Sequence, residues 1–249
     1  MESDVLARIR RLGFGDAQAT VLADHFLDAE ARGKTGHGLS RVAWLEGLPG
    51  LQPDAEPTRV VSEPGFERWE GRGSLGYLTL AAVVDAQLAD PPEHARVVVA
   101  ADCFPTGMLG HWVRRLAEGG LGGVLTATSP ARLAHPEGGP PLAGTNPLAI
   151  AVPSSDGRHL VADVSMGKAT FGDVLAGTAE ESDLVPFGGE QAHKAFALAV
   201  GLQALVDALA GDGYGALLLV ARPESDPIPA LRERAAGLRL PGEPGRRGG

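Results

Sequence analysis

The segment 96–101 is the feature that most limits how this chain can fold. An arginine is followed there by three consecutive valines and two alanines. A strand that is apolar at consecutive positions, instead of at alternate ones, is typical of a strand buried on both faces of a sheet. We therefore expect this segment to lie inside a sheet whose two faces are covered.

Helical and strand-like patterns alternate around this segment. Apolar residues recur at helical spacing in 4–12 and 17–31, and a third helical stretch follows His37. Further patterns predict helices at 75–88, 109–118 and 191–209, and strands at 59–62, 66–70, 123–128, 148–152, 159–163 and 216–220. This order predicts a mixed α/β fold with a partly antiparallel sheet.

We divide the chain into three parts. Residues 1–56 form an N-terminal helical segment, residues 57–222 form an α/β core that binds cofactor and substrate, and residues 223–249 form a C-terminal helix and tail. The length of 249 residues is sufficient for one compact unit with a substantial core. The stretch 238–249, rich in glycine, proline and arginine, is expected to be a surface or disordered tail.

Charge and composition exclude several classes of function. The 22 basic and 31 acidic residues give a net charge of −9, which repels a polyanion, so nucleic-acid binding is not expected. No uninterrupted apolar run exceeds 216–221, and the N-terminus lacks a basic and then apolar signal, so we expect a soluble, unsecreted protein. The single Cys103 excludes an internal disulfide and a thiolate metal site, and favours the cytoplasm.

Gly71, Gly73 and Gly76 have the spacing of a dinucleotide-binding fingerprint. The preceding segment 66–70 reads Phe-Glu-Arg-Trp-Glu, whereas a Rossmann first strand lies in mid-sheet and is apolar throughout. The glycines therefore favour a turn leading into a helix over a Rossmann phosphate site.

His37 lies between two glycines, which leave the backbone around its imidazole open to a ligand. Arg41 follows about one helical turn later, and its guanidinium can hold a carboxylate by two parallel hydrogen bonds. A proton donor beside a carboxylate clamp suits the reduction of a 2-oxo or 2-imino acid. The alternative interpretation is a surface histidine with a solvated arginine.

Several other segments resemble parts of a binding site. Glycine-rich turns at 107–110, 144–147 and 186–189 offer backbone N–H groups, two of them before helices. Asp163 ends an apolar strand, where on its own it would be read as a helix N-cap.

Taken in order, these motifs resemble the malate/L-lactate dehydrogenase-like family of NAD(P)H oxidoreductases. The matching stretches are Gly36-His37-Gly38-Leu39-Ser40-Arg41, the 107–110 turn, Gly144-Thr145-Asn146-Pro147-Leu148-Ala149, Asp163-Val164-Ser165 and Pro186-Phe187-Gly188-Gly189. The resemblance implies a non-Rossmann mixed sheet flanked by helices, and a homodimer. The family includes type 2 malate, lactate and ureidoglycolate dehydrogenases and reductases of piperideine-2-carboxylate and pyrroline-2-carboxylate.

The resemblance also implies a role for each matching residue. It makes His37 the general acid, Asp163 the carboxylate that orients and charges it, and Arg41 the anchor of the substrate carboxylate. Thr145 would contact the substrate. NADPH or NADH would bind along a larger set: Thr106, Gly107, Gly110, Thr128, Ser129, Asn146, Ser165, Gly188, Gly189, Lys194, Arg239 and Gly242.

The chain departs from the family pattern at Gly36, where a serine is common, at Pro105, and at 178–183, which bridges a normally long segment. Two functions therefore stay open. One is a reductase of a 2-oxo acid or cyclic 2-imino acid that transfers hydride to a C=O or C=N bond, with His37 as the proton donor. The other is a homologue without hydride transfer, acting as a cofactor-independent isomerase or cyclase or as a non-catalytic partner. A titration with NADPH and NADH distinguishes them.

Overall fold

A computed structural model describes residues 2–243, and within them seven strands form one sheet. The strands are β1 (Thr58–Glu63), β2 (Phe66–Glu70), β3 (Ala95–Ala101), β4 (Gly122–Ala127), β5 (Leu148–Val152), β6 (Leu160–Val164) and β7 (Gly215–Ala221). Their spatial order is β1-β2-β3-β7-β4-β5-β6. Strands β2 and β3 pair in parallel, and the other neighbouring pairs of this sheet are antiparallel.

Helices flank this sheet along the described chain. They are α1 (Glu2–Arg11), α2 (Asp16–Ala31), α3 (Ser40–Glu46), α4 (Gly76–Ala89), α5 (Leu109–Glu118), α6 (Phe171–Leu175), α7 (Ala192–Ala210) and α8 (Ile228–Arg234). The mixed sheet with flanking helices confirms the fold class expected from the sequence. The short helix α6 was not anticipated, because its five residues carry too little periodicity to detect.

Strand β3 is buried on both faces, as its composition predicts. Val98 and Ala100 belong to the main core, which the α4 and α5 helices cover, whereas Val99 and Ala101 pack with Val206 and Ala210 of α7. Because alternate residues of a strand point to opposite faces, α7 covers the face opposite to α4 and α5.

The N-terminal helices share the main core instead of forming a separate one. Ile9 of α1, Phe26 of α2 and Leu45 of α3 are fully buried in the same cluster as Trp112 of α5. The proposed boundary between 1–56 and 57–222 therefore crosses a continuous core, and the division stays a prediction.

The end of the described chain returns to the sheet. Val161 of β6 donates a backbone hydrogen bond to the carbonyl of Pro241. Glu243 accepts hydrogen bonds from Arg158 and Arg232. Part of the predicted tail thus lies along β6, and residues 244–249 lie outside the described residues.

Helix α7 presents an apolar surface although its sequence contains no long uninterrupted apolar run. The span Gly189–Ala210 is long and apolar enough to cross a membrane by length and composition, which is weak evidence because core helices pass the same test. In this fold α7 packs on the sheet through Val206 and Ala210 and leaves Leu198, Leu205 and Leu209 exposed.

Several loops begin together at one end of the strands of the sheet. Ala101 of β3 lies opposite Gly215, Ala127 of β4 lies opposite Ala216, and Val164 of β6 lies opposite Leu148. The loops after β3, β4 and β6 therefore begin at the same end of the strands. Gly71 and Gly73 occupy a turn between β2 and α4, and β2 lies one strand from the edge, so the Rossmann interpretation does not apply.

Candidate active site

A cavity of about 530 Å³ opens where these loops meet the connection between α2 and α3. All four predicted catalytic and substrate-binding residues line it: His37, Arg41, Thr145 and Asp163. These residues are far apart in the sequence: more than a hundred residues separate His37 from Thr145. The fold thus brings the whole predicted reaction centre to one place.

His37 ends a short 3-10 helix, Thr35–His37, beside the cavity. Its buried Nδ1 has no hydrogen-bond partner in the part of the chain that the structure describes. Burial, reinforced by the positive charge of Arg41, lowers the pKa of His37 to about 4, and the carboxylate of Asp173 opposes this shift. The imidazole is therefore neutral at pH 7, with one nitrogen able to donate and the other able to accept a proton.

Asp163 extends from β6 into the same cavity. Its Oδ2 accepts a hydrogen bond of 2.9 Å from the backbone N–H of Gly110, and burial raises its pKa. A Cβ at Gly110 would lie 2.8 Å from that oxygen, so this approach requires glycine. Among the described residues no hydrogen bond joins Asp163 to His37, and the pairing implied by the resemblance stays a prediction.

Arg41 is a buried cation with no carboxylate partner among the ion pairs of the described chain. Its Nε donates a hydrogen bond of 2.8 Å to the carbonyl of Gly36, and its Cζ lies 5.3 Å from the centroid of the Trp44 ring. A buried charge without a counter-ion is costly, so this guanidinium is well suited to an anionic ligand.

The packing around position 36 leaves no room for a side chain. A Cβ at this position would lie 2.5 Å from Oδ1 of Asp173 and 2.6 Å from its backbone nitrogen. Helix α6 packs directly onto the 3-10 helix that carries His37, and a side chain at Gly36 would displace it.

A second cavity, of about 650 Å³, adjoins the first, and the two share Lys34, Met108 and Asp163 as lining residues. Its other basic lining residues are Arg32, Arg114 and Arg239. Arg32 and Arg114 both pair with Asp28. Basic side chains thus line both cavities.

The predicted cofactor residues fall into three groups. The first cavity is lined by Thr106, Gly107, Thr128, Ser129 and Ser165, and the second by Gly110, Arg239 and Gly242. Gly188, Gly189 and Lys194 are exposed and line neither cavity. Asn146 lines neither cavity as well, and it is fully buried.

The amide of Asn146 has a structural role in this fold, and the predicted contact of this residue with a cofactor stays a prediction. Its Nδ2 donates to the carbonyl of Ala199 at 3.0 Å and to Oε1 of Gln203 at 2.9 Å, and its Oδ1 accepts from the backbone of Ser129. Nδ2 thus joins the 129–146 loop to α7, and Oδ1 joins the two ends of that loop.

We expect Asn146→Ala to lower the free energy of unfolding by about 1 to 2 kcal/mol, because the backbone N–H of Ser129 loses its acceptor and the carbonyl of Ala199 loses one donor. Urea titration monitored by circular dichroism measures this change. Loss of cofactor binding in a variant that retains the parental stability would contradict the structural role.

Several lining residues were not anticipated from the sequence. They are Lys34, Tyr77, Arg132 and Asp173. The phenol oxygen of Tyr77 is buried and has no hydrogen-bond partner within residues 2–243. Tyr77 follows Gly76 of the glycine pattern set aside above, which was the only local signal near it.

The sequence is similar to a known protein family and to several of its members. The sequence profile described as malate/L-lactate dehydrogenase matches residues 2–184. The chain is 30% identical over 177 residues to a (2R)-3-sulfolactate dehydrogenase (NADP(+)) of Chromohalobacter salexigens, covering 70% of this chain and 53% of that protein. It is 31% identical over 166 residues to a 2,3-diketo-L-gulonate reductase of Pasteurella multocida, covering 61% and 46%. The chain thus spans about half the length of these curated relatives.

Solved structures share the fold at lower sequence identity. A delta1-piperideine-2-carboxylate reductase from Pseudomonas syringae superposes with a TM-score of 0.83 at 22% identity, over 97% of this chain and 90% of that one. A sulfolactate dehydrogenase from Methanocaldococcus jannaschii gives 0.78 at 18% identity, over 97% and 86%. These similarities support the fold alone.

Proposed function

The chain belongs to the malate/L-lactate dehydrogenase family, and on that basis we propose that it reduces a 2-oxo acid or a cyclic 2-imino acid with NADPH or NADH. The observation that carries this proposal is the placement of His37 and Arg41 in one cavity. The imidazole has a free nitrogen and the buried guanidinium has no carboxylate partner in the described chain. A 2-oxo or 2-imino acid carries its carboxylate next to the reacting double bond, which suits this pair.

The two adjoining cavities fit a nicotinamide dinucleotide. Such a cofactor is elongated and carries its charge on phosphate groups, and the second cavity offers basic side chains, of which Arg239 has no ion-pair partner among the described residues. We assign Thr106, Gly107, Thr128, Ser129 and Ser165 to the reactive half, and Gly110, Arg239 and Gly242 to the other half. The bound reduced nicotinamide supplies the hydride.

His37 supplies the proton to the oxygen or nitrogen of the reduced bond. At pH 7 the free imidazole is neutral because burial and Arg41 lower its pKa. A substrate carboxylate paired with Arg41 cancels part of that positive charge and raises the pKa of His37. Substrate binding therefore favours the protonated state that reduction needs, and an imine that arrives already protonated depends less on it.

The names of two relatives agree with this chemistry. One is named as a dehydrogenase that uses NADP(+), and one structural relative is named as a reductase of a cyclic imino acid. Because the chain spans about half of its curated relatives, we do not transfer their substrates, and the choice between a C=O and a C=N bond stays open.

A fluorescence titration with NADPH and NADH, followed by assays with 2-oxo acids and cyclic 2-imino acids, tests the proposal. We expect saturable binding of at least one cofactor and its oxidation when an acid is added. If neither cofactor binds, the proposal fails. Conversion of an acid without a cofactor would favour the second candidate, a homologue without hydride transfer, which the shortened 178–183 segment supports.

We also propose that the enzyme is a cytoplasmic homodimer that buries the exposed leucines of α7. Light scattering at micromolar concentration is expected to give the mass of two chains. Leu205→Glu, on the exposed side of α7, should shift the mass toward one chain, whereas Val60→Glu, at a similarly exposed site on β1, should not. A single-chain mass for the parent protein would contradict this prediction.

A further inference from the structure

Tyr77 lies in the wall of the first cavity, and its hydroxyl group has no partner among the described residues. It is the second residue of α4, and its side chain is fully buried. His37 and Arg41 line the same cavity. A buried hydroxyl without a hydrogen bond costs free energy, so this group is suited to a ligand that enters the cavity.

The ring of Tyr77 is held by packing. Its centroid lies 4.9 Å from that of the His25 ring and 5.3 Å from that of the Phe26 ring. A Cβ on Gly107 would clash with Cε1 of Tyr77, so the backbone of Gly107 packs directly on the ring. His25 is itself engaged, because its Nε2 accepts a hydrogen bond of 3.0 Å from the backbone N–H of Met108. The ring is thus fixed by contacts that do not use its hydroxyl.

The hydroxyl of Tyr77 is protonated at neutral pH and lies near a cation. Burial raises the pKa of Tyr77 above its ordinary value, and the positive charge of Arg41 opposes this shift. A neutral phenol can donate a hydrogen bond. Tyr77 and Arg41 thus offer one neutral donor and one cationic donor to the same cavity.

A carboxylate can bind both groups at once. Within residues 2–243 the guanidinium of Arg41 forms one hydrogen bond, from Nε to the carbonyl of Gly36. Its two Nη atoms stay available for a bidentate carboxylate, which uses one lone pair of each oxygen. The remaining lone pairs can accept a further hydrogen bond from a hydroxyl beside the guanidinium. A bond to a charged acceptor is stronger than one to a neutral acceptor.

We propose that Tyr77 is a substrate-binding residue whose hydroxyl donates a hydrogen bond to the carboxylate held by Arg41. This inference rests on the proposed function for the presence of that carboxylate, and it adds a residue outside the matching sequence motifs. In the free protein the hydroxyl is buried without a partner, and the ligand supplies one. Removal of the hydroxyl should therefore weaken ligand binding without weakening the fold.

The binding test compares the parent with Tyr77→Phe, which removes only the hydroxyl. Tyr214→Phe makes the same change at an exposed tyrosine that lines neither cavity, and it is the matched control. Calorimetric titrations with NADP⁺ present use 2-oxopentanoate and pentanoate, of which pentanoate has the carboxylate but lacks the carbonyl group. Tyr77→Phe should bind both acids at least about tenfold more weakly, in line with the loss of a hydrogen bond to a charged group. Tyr214→Phe should bind them as the parent does.

Thermal unfolding of the same three proteins without ligand separates binding from folding. Tyr77→Phe should unfold at the same temperature as the parent or at a higher one, because it removes a buried hydroxyl that has no partner. A clearly lower unfolding temperature would show that the hydroxyl serves the fold, and the inference would then fail.

Three binding results would also overturn the inference: unchanged affinity for both acids in Tyr77→Phe, a loss confined to 2-oxopentanoate, or no binding of either acid by the parent. The proposed function has a separate readout, the oxidation of NADPH or NADH. If both acids bind through Tyr77 but no reduced cofactor is oxidised, the proposed reduction fails and the carboxylate contact stands. If 2-oxopentanoate is reduced but Tyr77→Phe binds both acids as the parent does, the reduction stands and the contact fails.

Discussion

His37→Ala is expected to lower kcat for reduction of a 2-oxo acid by roughly 100-fold to 10,000-fold, which is the usual contribution of a general acid. The affinity for NADPH or NADH should change by less than about threefold, because the imidazole is assigned to the substrate and not to the cofactor. Steady-state rates and a fluorescence titration on the same preparation measure the two effects. A variant as active as the parent would show that His37 is not the proton donor.

The pH dependence separates proton donation from a structural effect of the same substitution. The free imidazole has a pKa of about 4, and pairing of Arg41 with a substrate carboxylate raises it. Because reduction needs the protonated form, kcat of the parent should fall as the pH rises through the pKa of His37 in the complex. His37→Gln, which preserves much of the volume, should lose this pH dependence. If the same profile persists in His37→Gln, another group donates the proton.

Arg41→Lys is expected to lower kcat/KM by an amount equivalent to about 1.5 to 3 kcal/mol of transition-state stabilisation. This is the typical value of a hydrogen bond to a charged group. Lysine preserves the charge but lacks the planar fork that binds a carboxylate through two parallel hydrogen bonds. It would also lose the hydrogen bond from Nε of Arg41 to the carbonyl of Gly36. The measurement is kcat/KM for parent and variant on one 2-oxo acid.

An amide or ester analogue of the same acid provides the control for Arg41. Without the carboxylate, the difference between parent and variant should shrink to the small effect of the lost hydrogen bond to Gly36, because the contact with the substrate is absent. If Arg41→Lys stays much slower than the parent on the analogue, Arg41 has a structural role and the anchor assignment fails.

The elements of the fold were predictable where local sequence determines them. The valines of β3 identified a strand buried on both faces, and the Gly71 pattern was set aside because the charged β2 could not lie in the middle of a Rossmann sheet. The structure agrees, since β2 lies one strand from the edge. The composition of a strand predicts its position in the sheet because a strand buried on both faces must be apolar at consecutive residues.

The centre of the site was predictable through motifs, and its periphery was not. His37, Arg41, Thr145 and Asp163 matched short recognisable stretches, and the fold brings them to one cavity. Arg132 and Asp173 lie in long connections whose course depends on tertiary contacts, such as the stacking of Arg132 on Phe171. The periodicity of apolar residues in the sequence does not predict such contacts.

Asn146 shows a case in which a recognisable motif does not reveal the structural role that the packing gives a residue. The Gly144-Thr145-Asn146-Pro147 stretch matched the family well, but the amide of Asn146 is used within the protein by Ser129, Ala199 and Gln203. A motif identifies a residue that matters without stating whether it holds a ligand or the fold.

The most direct test of hydride transfer is to follow a labelled hydrogen. NADPH or NADH carrying deuterium at the transferring position of the nicotinamide is incubated with the protein and a 2-oxo or cyclic 2-imino acid, and the product is analysed by mass spectrometry. The proposal predicts one deuterium on the carbon that bears the carboxylate, with one cofactor oxidised for each product formed. Product that lacks deuterium, or that forms while the cofactor stays reduced, would contradict it.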